Sequence, residues 1–177
     1  MRIGEIILGP RSSIGFGNVF RDVTELNLEN DCTIRNFNWI STSPLLVKSG
    51  GKGSLKLGEK SSITSRHYLD CSGGITIGEY TTIAGVRSTM ITHQIDRVKS
   101  KQTSQGINIG KYCLISSNVL VCPGVSICDY SVVGMGTTLA GNYKDSNTLI
   151  LGTKGKVKKN NLSGEYFGRL DRSVGQE

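Results

Sequence analysis

The sequence is poor in proline, histidine and aromatic residues, and it has no long hydrophobic run. Its 177 residues include 3 prolines, 2 histidines and 6% aromatic residues. A collagen-like chain needs abundant proline and glycine at every third position, so 23 glycines without that period exclude it. No apolar run approaches the ~20 residues that cross a bilayer, and the N-terminus lacks the apolar segment of a secretion signal. We therefore expect one domain of ordinary size, located in the cytoplasm.

The cysteines and histidines form neither a disulfide pattern nor a metal-binding pattern. Five cysteines are an odd number and have no CxxC spacing (Cys32, Cys71, Cys113, Cys122 and Cys128). Disulfide frameworks and zinc ribbons use paired, closely spaced thiols, so we expect reduced cysteines that pack as small apolar residues. Two histidines exclude a three-histidine zinc site on one chain, and no metal is expected.

Positive charge is in excess, and part of it is concentrated late in the chain. The formal net charge is +7, and four lysines lie within six residues (Lys154, Lys156, Lys158 and Lys159). Such a run is usually a solvated surface, but it also suits a phosphate-bearing small molecule, a nucleic acid or an acidic membrane face. Nucleic acid is the weakest of these, because no RRM, KH, helix-turn-helix or zinc-finger pattern is present. A GxGxxG or Walker loop is absent as well.

A six-residue repeat predicts the fold. From residue 109 onward an aliphatic residue returns at every sixth position (Ile109, Ile115, Val121, Ile127, Val133 and Leu139), and a small residue follows each one. The same spacing occurs upstream (Leu57, Ile63, Leu69, Ile75; Ile77, Ile83; Leu8, Ile14, Phe20; Leu28, Ile34, Ile40). Helices have a period of 3.6 and strands a period of 2. A period of six fits a triangular solenoid whose ~18-residue coils have one short strand on each side. Stacked coils should align Ile109 with Ile127, Ile115 with Val133 and Val121 with Leu139.

Two segments interrupt the repeat, and a basic tail follows it. Residues 41–56 include Pro44 and a Gly/Ser-rich stretch, and residues 92–106 are polar and without repeat. Insertions in a regular solenoid often carry function. We expect a β-helix domain over 1–150, with these two loop insertions, and a tail over 151–177 that forms a short helix or an extended arm.

These residues resemble a known family, the hexapeptide-repeat acyltransferases. The likeness covers roughly 57–160 and rests on the repeat, on the break after IAGVRSTMITHQID and on its resumption at INIGKYCLISSNVLVCPGVSI. It is nearest to the sugar O-acetyltransferases, of the maltose, galactoside and surface-polysaccharide types. The resemblance implies a left-handed parallel β-helix, a hand that the general rule for crossovers does not predict. It also implies a homotrimer whose sites are shared between subunits.

The resemblance places a catalytic histidine at His93, in the sequence Thr-His-Gln-Ile-Asp. An imidazole suits a general base that takes a hydroxyl proton at neutral pH. Asp96 is a candidate for orienting the ring, although an aspartate in a loop is more often a turn former. One coil earlier, Arg66, His67 and Asp70 are candidates for binding the acceptor, and His67 fits a structural histidine equally well. This coil departs from the asparagine-rich segment of the maltose and galactoside type, so the acceptor sugar stays open.

The resemblance also implies acetyl-coenzyme A as the donor. Ser117 matches a position that contacts the pantetheine arm, and two lysines match basic residues near the coenzyme phosphates, where charge-assisted hydrogen bonds form. The family commonly has tryptophan where this chain has Leu114. The expected coenzyme-binding residues are Ser117, Gly134, Met135, Ala140, Lys156 and Lys159.

The function expected from the resemblance is transfer of an acetyl group from acetyl-coenzyme A to a hydroxyl of a sugar or surface-polysaccharide precursor. Direct attack by the hydroxyl needs no cysteine nucleophile. An alternative on the same fold is N-acetylation of a nucleotide-linked amino sugar. A third is a non-enzymatic β-solenoid that serves as a binding surface, which should show a flat face of Thr-x-Thr repeats. Thr81-Thr82 and Thr137-Thr138 are too few for such a face.

Overall fold

The chain forms a triangular stack of short parallel strands. The structure is a computed structural model that describes residues 2–98, 100–161 and 163–164. Within these residues there are 22 strands and one helix of five residues. The predicted left-handed parallel β-helix is confirmed. No helix in the described part of the chain is long and apolar enough to cross a membrane.

The three sides of the stack are called faces A, B and C. Face A contains the first part of β3 (Val19–Leu28), followed by β5 (Trp39–Ser41), β8 (Tyr68–Asp70), β11 (Thr89–Met90), β16 (Leu120–Val121) and β19 (Thr138–Leu139). Face B contains the second part of β3, followed by β6 (Ser54–Leu57), β9 (Ile75–Ile77), β14 (Ile107–Ile109), β17 (Ser126–Ile127) and β20 (Asn142–Tyr143). Face C contains β2 (Ser13–Ile14), β4 (Thr33–Ile34), β7 (Ser62–Ile63), β10 (Thr82–Ile83), β15 (Leu114–Ile115), β18 (Val132–Val133), β21 (Leu149–Leu151) and β22 (Lys156–Lys159).

Four elements lie outside this regular pattern. The first strand, β1 (Arg2–Leu8), pairs in parallel along β3 and caps the N-terminal end of the stack. The helix α1 (Pro44–Lys48) follows β5. The strands β12 (His93–Asp96) and β13 (Lys101–Ser104) form an antiparallel hairpin between β11 and β14.

The core is a set of aliphatic columns inside the stack. As the repeat predicts, Ile109 pairs with Ile127, Ile115 with Val133 and Val121 with Leu139. The six aliphatic positions from 109 to 139 are all buried, and so are Leu57, Ile63, Leu69, Ile75, Ile77 and Ile83. One coil alone cannot cover its apolar row, so stacking closes the core. Leu8 is an exception at 50% exposure, because β1 has no coil on its outer side.

Residues in the left-handed region turn the corners of the coils. At the corner between faces B and C, Lys60, Tyr80, Tyr112 and Tyr130 have φ between 54° and 59°. The three tyrosine rings stack at centroid distances of 4.7 and 5.1 Å. Side chains other than glycine pay a steric cost in this region, and here stacking on the neighbouring coil offsets part of it.

The two insertions leave the stack at the same corner, between faces A and B. The helix α1 follows β5, and the hairpin β12–β13 follows β11, two coils further along. The first insertion is shorter than predicted, because β6 begins at Ser54 and Leu55 is fully buried between Leu26 and Ile75. The coil between the insertions turns the corner at Asp70, which therefore has an insertion on each side.

The described part of the tail is an extended arm. Its strand β22 runs antiparallel to β21 at the C-terminal end of face C. Of the expected tail over 151–177, residues 162 and 165–177 lie outside the described residues.

Candidate active site

Asp70 is a buried carboxylate held by hydrogen bonds on both sides. It ends β8 at the corner between faces A and B, and its side chain is 6% exposed. The Ser72 hydroxyl donates to Oδ2 at 3.1 Å, and the Thr92 hydroxyl lies 2.7 Å from Oδ1. Ser72 Oγ accepts in turn from the backbone N–H of Ser43, at the start of the first insertion. Both insertions are therefore tied to the carboxylate.

Thr92 fixes the base of the hairpin above this coil. It is fully buried, its hydroxyl accepts from the N–H of Gly73, and its carbonyl accepts from the N–H of Gln105. The same hydroxyl lies 2.8 Å from the main-chain oxygen of Asp70. Because Thr92 directly precedes His93, these bonds set the position of the imidazole.

His93 lies against Asp70. Nδ1 of the imidazole is 3.1 Å from Oδ1 of the carboxylate, a distance typical of an ion pair. The N–H direction is not aligned with that oxygen, and Nδ1 has no well-aligned hydrogen-bond partner among the described residues. Nδ1 is buried whereas the whole side chain is 34% exposed, so the accessible part is the rest of the ring, including Nε2.

This arrangement suits proton transfer at Nε2. A carboxylate that accepts from Nδ1–H leaves Nε2 as the basic nitrogen and stabilises the imidazolium after it has taken a proton. Catalytic hydrogen bonds are often loose without substrate and become shorter and better aligned in the complex. Asp70 is the carboxylate that lies against His93.

Asp96 and Arg66, two other predicted residues, lie at turns. Asp96 ends β12 and accepts a hydrogen bond at 3.0 Å from the N–H of Val98, in the turn of the hairpin. Arg66 is exposed at the corner between faces C and A, with φ of 62° and its guanidinium carbon 5.9 Å from the centre of the Phe37 ring.

His67 is part of the core of the solenoid. It is 2% exposed, and both ring nitrogens have partners. Nδ1 accepts from the N–H of Ser88 at 3.1 Å, and Nε2 is 2.9 Å from Thr64 Oγ1, whose own proton is directed at the carbonyls of Ile83 and Gly85. Nε2 therefore carries the proton, and burial lowers the pKa of His67 to about 4. These contacts favour a structural role.

The predicted coenzyme-binding residues fall into three places. Ser117 and Met135 lie on neighbouring coils at the corner between faces C and A, where the N–H of Gly136 donates to the Ser117 carbonyl. At the same corner, Gly134 follows β18 and passes so close to Leu151 that a Cβ on it would lie 2.0 Å from Leu151 Cδ2. Ala140 is exposed after β19 on face A.

The third place is β22, where a bulge brings Lys156 and Lys159 to one side of the strand. A spacing of three residues normally puts side chains on opposite sides. Here Lys156 pairs with Leu151 and Lys159 with Leu149, and the register shifts between these pairs because Lys158 is extra. All the lysines of β22 are exposed.

Two aromatic residues beside the site are not among the predicted residues. A cavity of about 340 Å³ on face A is lined by Asp70 together with Trp39 and Tyr68, and by Arg21, Ser41, Thr42, Ser43 and Pro44. Trp39 and Tyr68 pair in register and are 42% and 41% exposed. Each directly precedes an inward aliphatic residue of the repeat, so the repeat itself indicates that they face outward.

The five cysteines are free, and the three that are buried, Cys32, Cys71 and Cys113, lie in the core. Burial raises the pKa of Cys71, and it raises the pKa of Cys113 to about 12. The described residues contain no cluster of histidine, cysteine and acidic side chains that fits a metal ion.

No protein-family model and no curated protein matches this sequence. Solved structures do share its fold. A galactoside acetyltransferase in complex with coenzyme A is 20% identical, with a TM-score of 0.64, over 76% of this chain and 64% of its own. An acetyltransferase specific for polySia is 17% identical, with a TM-score of 0.58, over 89% of this chain and 80% of its own. An N-acyltransferase from Bacillus cereus, in complex with dTDP and coenzyme A, is 16% identical, with a TM-score of 0.66, over 86% of this chain and 84% of its own. This chain thus spans less than two thirds of the galactoside enzyme, and the likeness shows the fold.

Proposed function

We propose that the protein transfers an acetyl group from acetyl-coenzyme A to a hydroxyl of a sugar or surface-polysaccharide precursor, with His93 as the general base. The observation that carries the proposal is the placement of a partly exposed histidine against a buried, hydrogen-bonded Asp70, 3.1 Å away. The fold shared with solved acetyltransferases supports the reaction type.

In this mechanism Asp70 orients the imidazole and His93 moves the proton. Nε2 takes the proton of the acceptor hydroxyl as its oxygen attacks the thioester carbonyl, and the positive charge on the ring is balanced by Asp70. When the carbon–sulfur bond breaks, His93 returns the proton to the departing sulfur. The hydroxyl oxygen gains the acetyl group and the thiol of the coenzyme is released, so atoms and charge balance without a covalent enzyme intermediate.

The coenzyme supplies an activated acetyl thioester and carries several phosphate groups. Exposed ammonium groups suit phosphate, and the bulge in β22 presents Lys156 and Lys159 together. Ser117, Gly134, Met135 and Ala140 are proposed to border the pantetheine arm. The altered wall at Leu114 is half-buried at the start of β15.

The proposal includes a homotrimer in the cytoplasm. Exposed apolar side chains on the hairpin and near the C-terminal coils support burial against other subunits, since Ile95, Val98 and Met135 are 70%, 87% and 71% exposed. The native mass of the purified protein measures the number of subunits.

N-acetylation of a nucleotide-linked amino sugar is the second candidate. The similarity to an N-acyltransferase with bound dTDP and coenzyme A favours it, with a TM-score of 0.66. The geometry of His93 and Asp70 serves an amine as well as a hydroxyl. The products differ, because hydroxylamine cleaves an ester and leaves an amide intact.

A thiol-release assay tests the proposal. Purified protein with acetyl-coenzyme A is offered a panel of sugars, acidic oligosaccharides and nucleotide-linked amino sugars. Release that depends on an acceptor and yields a hydroxylamine-sensitive product supports O-acetylation. A hydroxylamine-resistant product supports the N-acetyltransferase, and no acceptor-dependent release across the panel contradicts both.

A further inference from the structure

Beside the proposed catalytic residues, face A has an aromatic surface that no step of the mechanism uses. It consists of Trp39 and Tyr68, neighbours in register on β5 and β8, each more than 40% exposed. Val19 continues the row on β3, and Thr89 continues it on β11. Adjoining exposed apolar side chains of this kind often mark a binding site.

The aromatic surface adjoins the reactive site. Tyr68 and Asp70 are two residues apart on β8 and therefore lie on the same side of the strand. Trp39, Tyr68 and Asp70 all line the same cavity. A ring bound on the two aromatics thus extends toward His93, which lies 3.1 Å from Asp70.

Three exposed arginines flank this surface. Arg66 and Arg87 lie at the corner between faces C and A, two residues before Tyr68 and two residues before Thr89, respectively. The N–H of Arg87 donates to the carbonyl of Arg66 on the neighbouring coil. Arg21 lies on the other flank with 70% of its side chain exposed, and Asp22 approaches it at 3.6 Å. The chain as a whole carries a net charge of +7.

We propose that the acceptor is an acidic saccharide, with one sugar ring stacked on Trp39 and Tyr68 and its carboxylate groups bound by the flanking arginines. This inference rests on the proposed function and names its acceptor class. Sugar rings have an apolar C–H side that packs on aromatic rings, and guanidinium binds carboxylate in a fixed bidentate geometry. Ser41 and Ser43, which line the same cavity, supply hydroxyls for the sugar hydroxyl groups.

The experiment uses Trp39 as its own reporter, because it is the only tryptophan of the chain. The full-length protein, without acetyl-coenzyme A, is titrated with oligosaccharides of galacturonate, glucuronate and N-acetylneuraminate, and with neutral oligosaccharides of galactose and glucose of equal length. At least one acidic probe should change the Trp39 fluorescence saturably, with a dissociation constant roughly tenfold below that of its neutral counterpart. Raising the salt concentration should reduce that difference.

Matched variants separate the two parts of the surface. Tyr68→Ala should weaken the binding of the acidic probe about 3- to 10-fold, whereas Tyr68→Phe should leave it unchanged. Arg66→Gln with Arg87→Gln should remove most of the preference for the acidic probe. The controls are Phe16→Ala, which removes an exposed aromatic ring that does not line the cavity, and Arg11→Gln, at the opposite corner between faces B and C.

Three results would overturn the inference: no acidic probe alters Trp39 fluorescence, neutral and acidic probes bind equally, or Tyr68→Ala lowers the native mass. The last result would mean that a second copy of the chain covers the surface. Binding and reaction are measured separately, so the two proposals fail separately. Saccharide binding without acetyl transfer contradicts the proposed function, and acetyl transfer to acceptors that leave Trp39 unaffected contradicts the acidic-saccharide surface.

Discussion

At the scale of single residues, the proposed mechanism gives His93 and Asp70 different roles. The ring nitrogen nearest to Asp70 is buried, and the rest of the imidazole is open to an acceptor. This division follows from the position of the two residues, because Asp70 ends a strand inside the solenoid whereas His93 begins an insertion. The solenoid positions the carboxylate, and the insertion positions the imidazole against it.

We predict that His93→Ala lowers turnover by roughly 10²–10⁴ and leaves the affinity for acetyl-coenzyme A nearly unchanged. The side chain lies outside the aliphatic columns, so its removal opens no core cavity. Asp70→Asn should cost roughly 10² in turnover, because an amide no longer stabilises the imidazolium. Steady-state kinetics measures both turnover numbers, and equilibrium binding measures the affinity for the coenzyme. Turnover close to wild type in His93→Ala would contradict its role.

The second histidine makes stability depend on pH. The folded-state pKa of His67 is about 4 because of burial, below the ordinary value of about 6.5. Because the fold accommodates the neutral imidazole, the contribution of His67 to the free energy of unfolding is complete above pH 6.5. It is lost progressively as the pH falls from 6.5 to 4. The total loss is roughly 3 kcal/mol. Urea unfolding at pH 7.5, 6 and 5 should show this decline. The His67→Gln variant should be less stable at pH 7.5, but its free energy of unfolding should depend less on pH. An equal loss of unfolding free energy with falling pH in the two proteins would show that His67 is not the titrating group.

At the scale of elements, the hairpin β12–β13 depends on one threonine. Thr92 connects the hairpin to Asp70 and to Gly73, and its hydroxyl is fully buried. Thr137 is equally buried, but its hydroxyl has no partner among the described residues. The chain therefore contains both a bonded threonine and a matched unbonded one.

We predict that Thr92→Val lowers turnover roughly tenfold and the free energy of unfolding by about 1–3 kcal/mol. The valine keeps the shape and leaves Gly73 N–H without its acceptor. Thr137→Val, the control, should be neutral or stabilising with unchanged turnover, because it removes a hydroxyl that bonds to nothing described. Chemical denaturation and steady-state kinetics on both variants decide the matter. A loss of activity as large in Thr137→Val as in Thr92→Val would mean that threonine burial, and not this bond, matters.

The strand β22 supplies the second prediction at this scale. The double variant Lys156→Ala with Lys159→Ala should bind acetyl-coenzyme A about 3- to 10-fold more weakly, and the loss for the 3′-dephospho form should be smaller. Both effects should decrease at high salt. The bulged Lys158 is the matched control, since Lys158→Ala removes an equal charge from outside the paired register. Equilibrium binding of the two coenzyme forms gives the comparison. Equal losses for both forms would show that the two lysines do not bind that phosphate.

Sequence predicts the regular part of these elements well and their irregular part poorly. The alignment of Ile109 with Ile127 follows from a six-residue period, because each coil must bury the same positions. The contact between Asp70 and His93 does not follow, since it joins residues 23 apart through the path of an insertion without repeat. From the sequence Asp96 is a candidate partner but more often a turn former, and in the structure it accepts a hydrogen bond in the hairpin turn. The bulge at Lys158 is also invisible to a fixed spacing.

At the scale of the whole molecule, stability comes from one continuous core. Twenty-seven buried side chains from Phe20 to Ile150 form a single hydrophobic cluster along the stack. Because each coil contacts only its neighbours, the stack holds together through these columns rather than through cross-links. The described residues contain no disulfide and no group of metal-binding side chains.

We therefore predict that neither dithiothreitol nor EDTA changes the melting temperature or the native mass of the purified protein. The aliphatic columns, which neither reagent affects, supply the cohesion. The positive control is Ile83→Ala in the middle of face C, which removes a fully buried side chain and should cost about 2–5 kcal/mol. Differential scanning calorimetry and light scattering measure both quantities. A sharp drop in melting temperature or mass with either reagent would mean that a thiol bridge or a metal ion holds the coils or the subunits together.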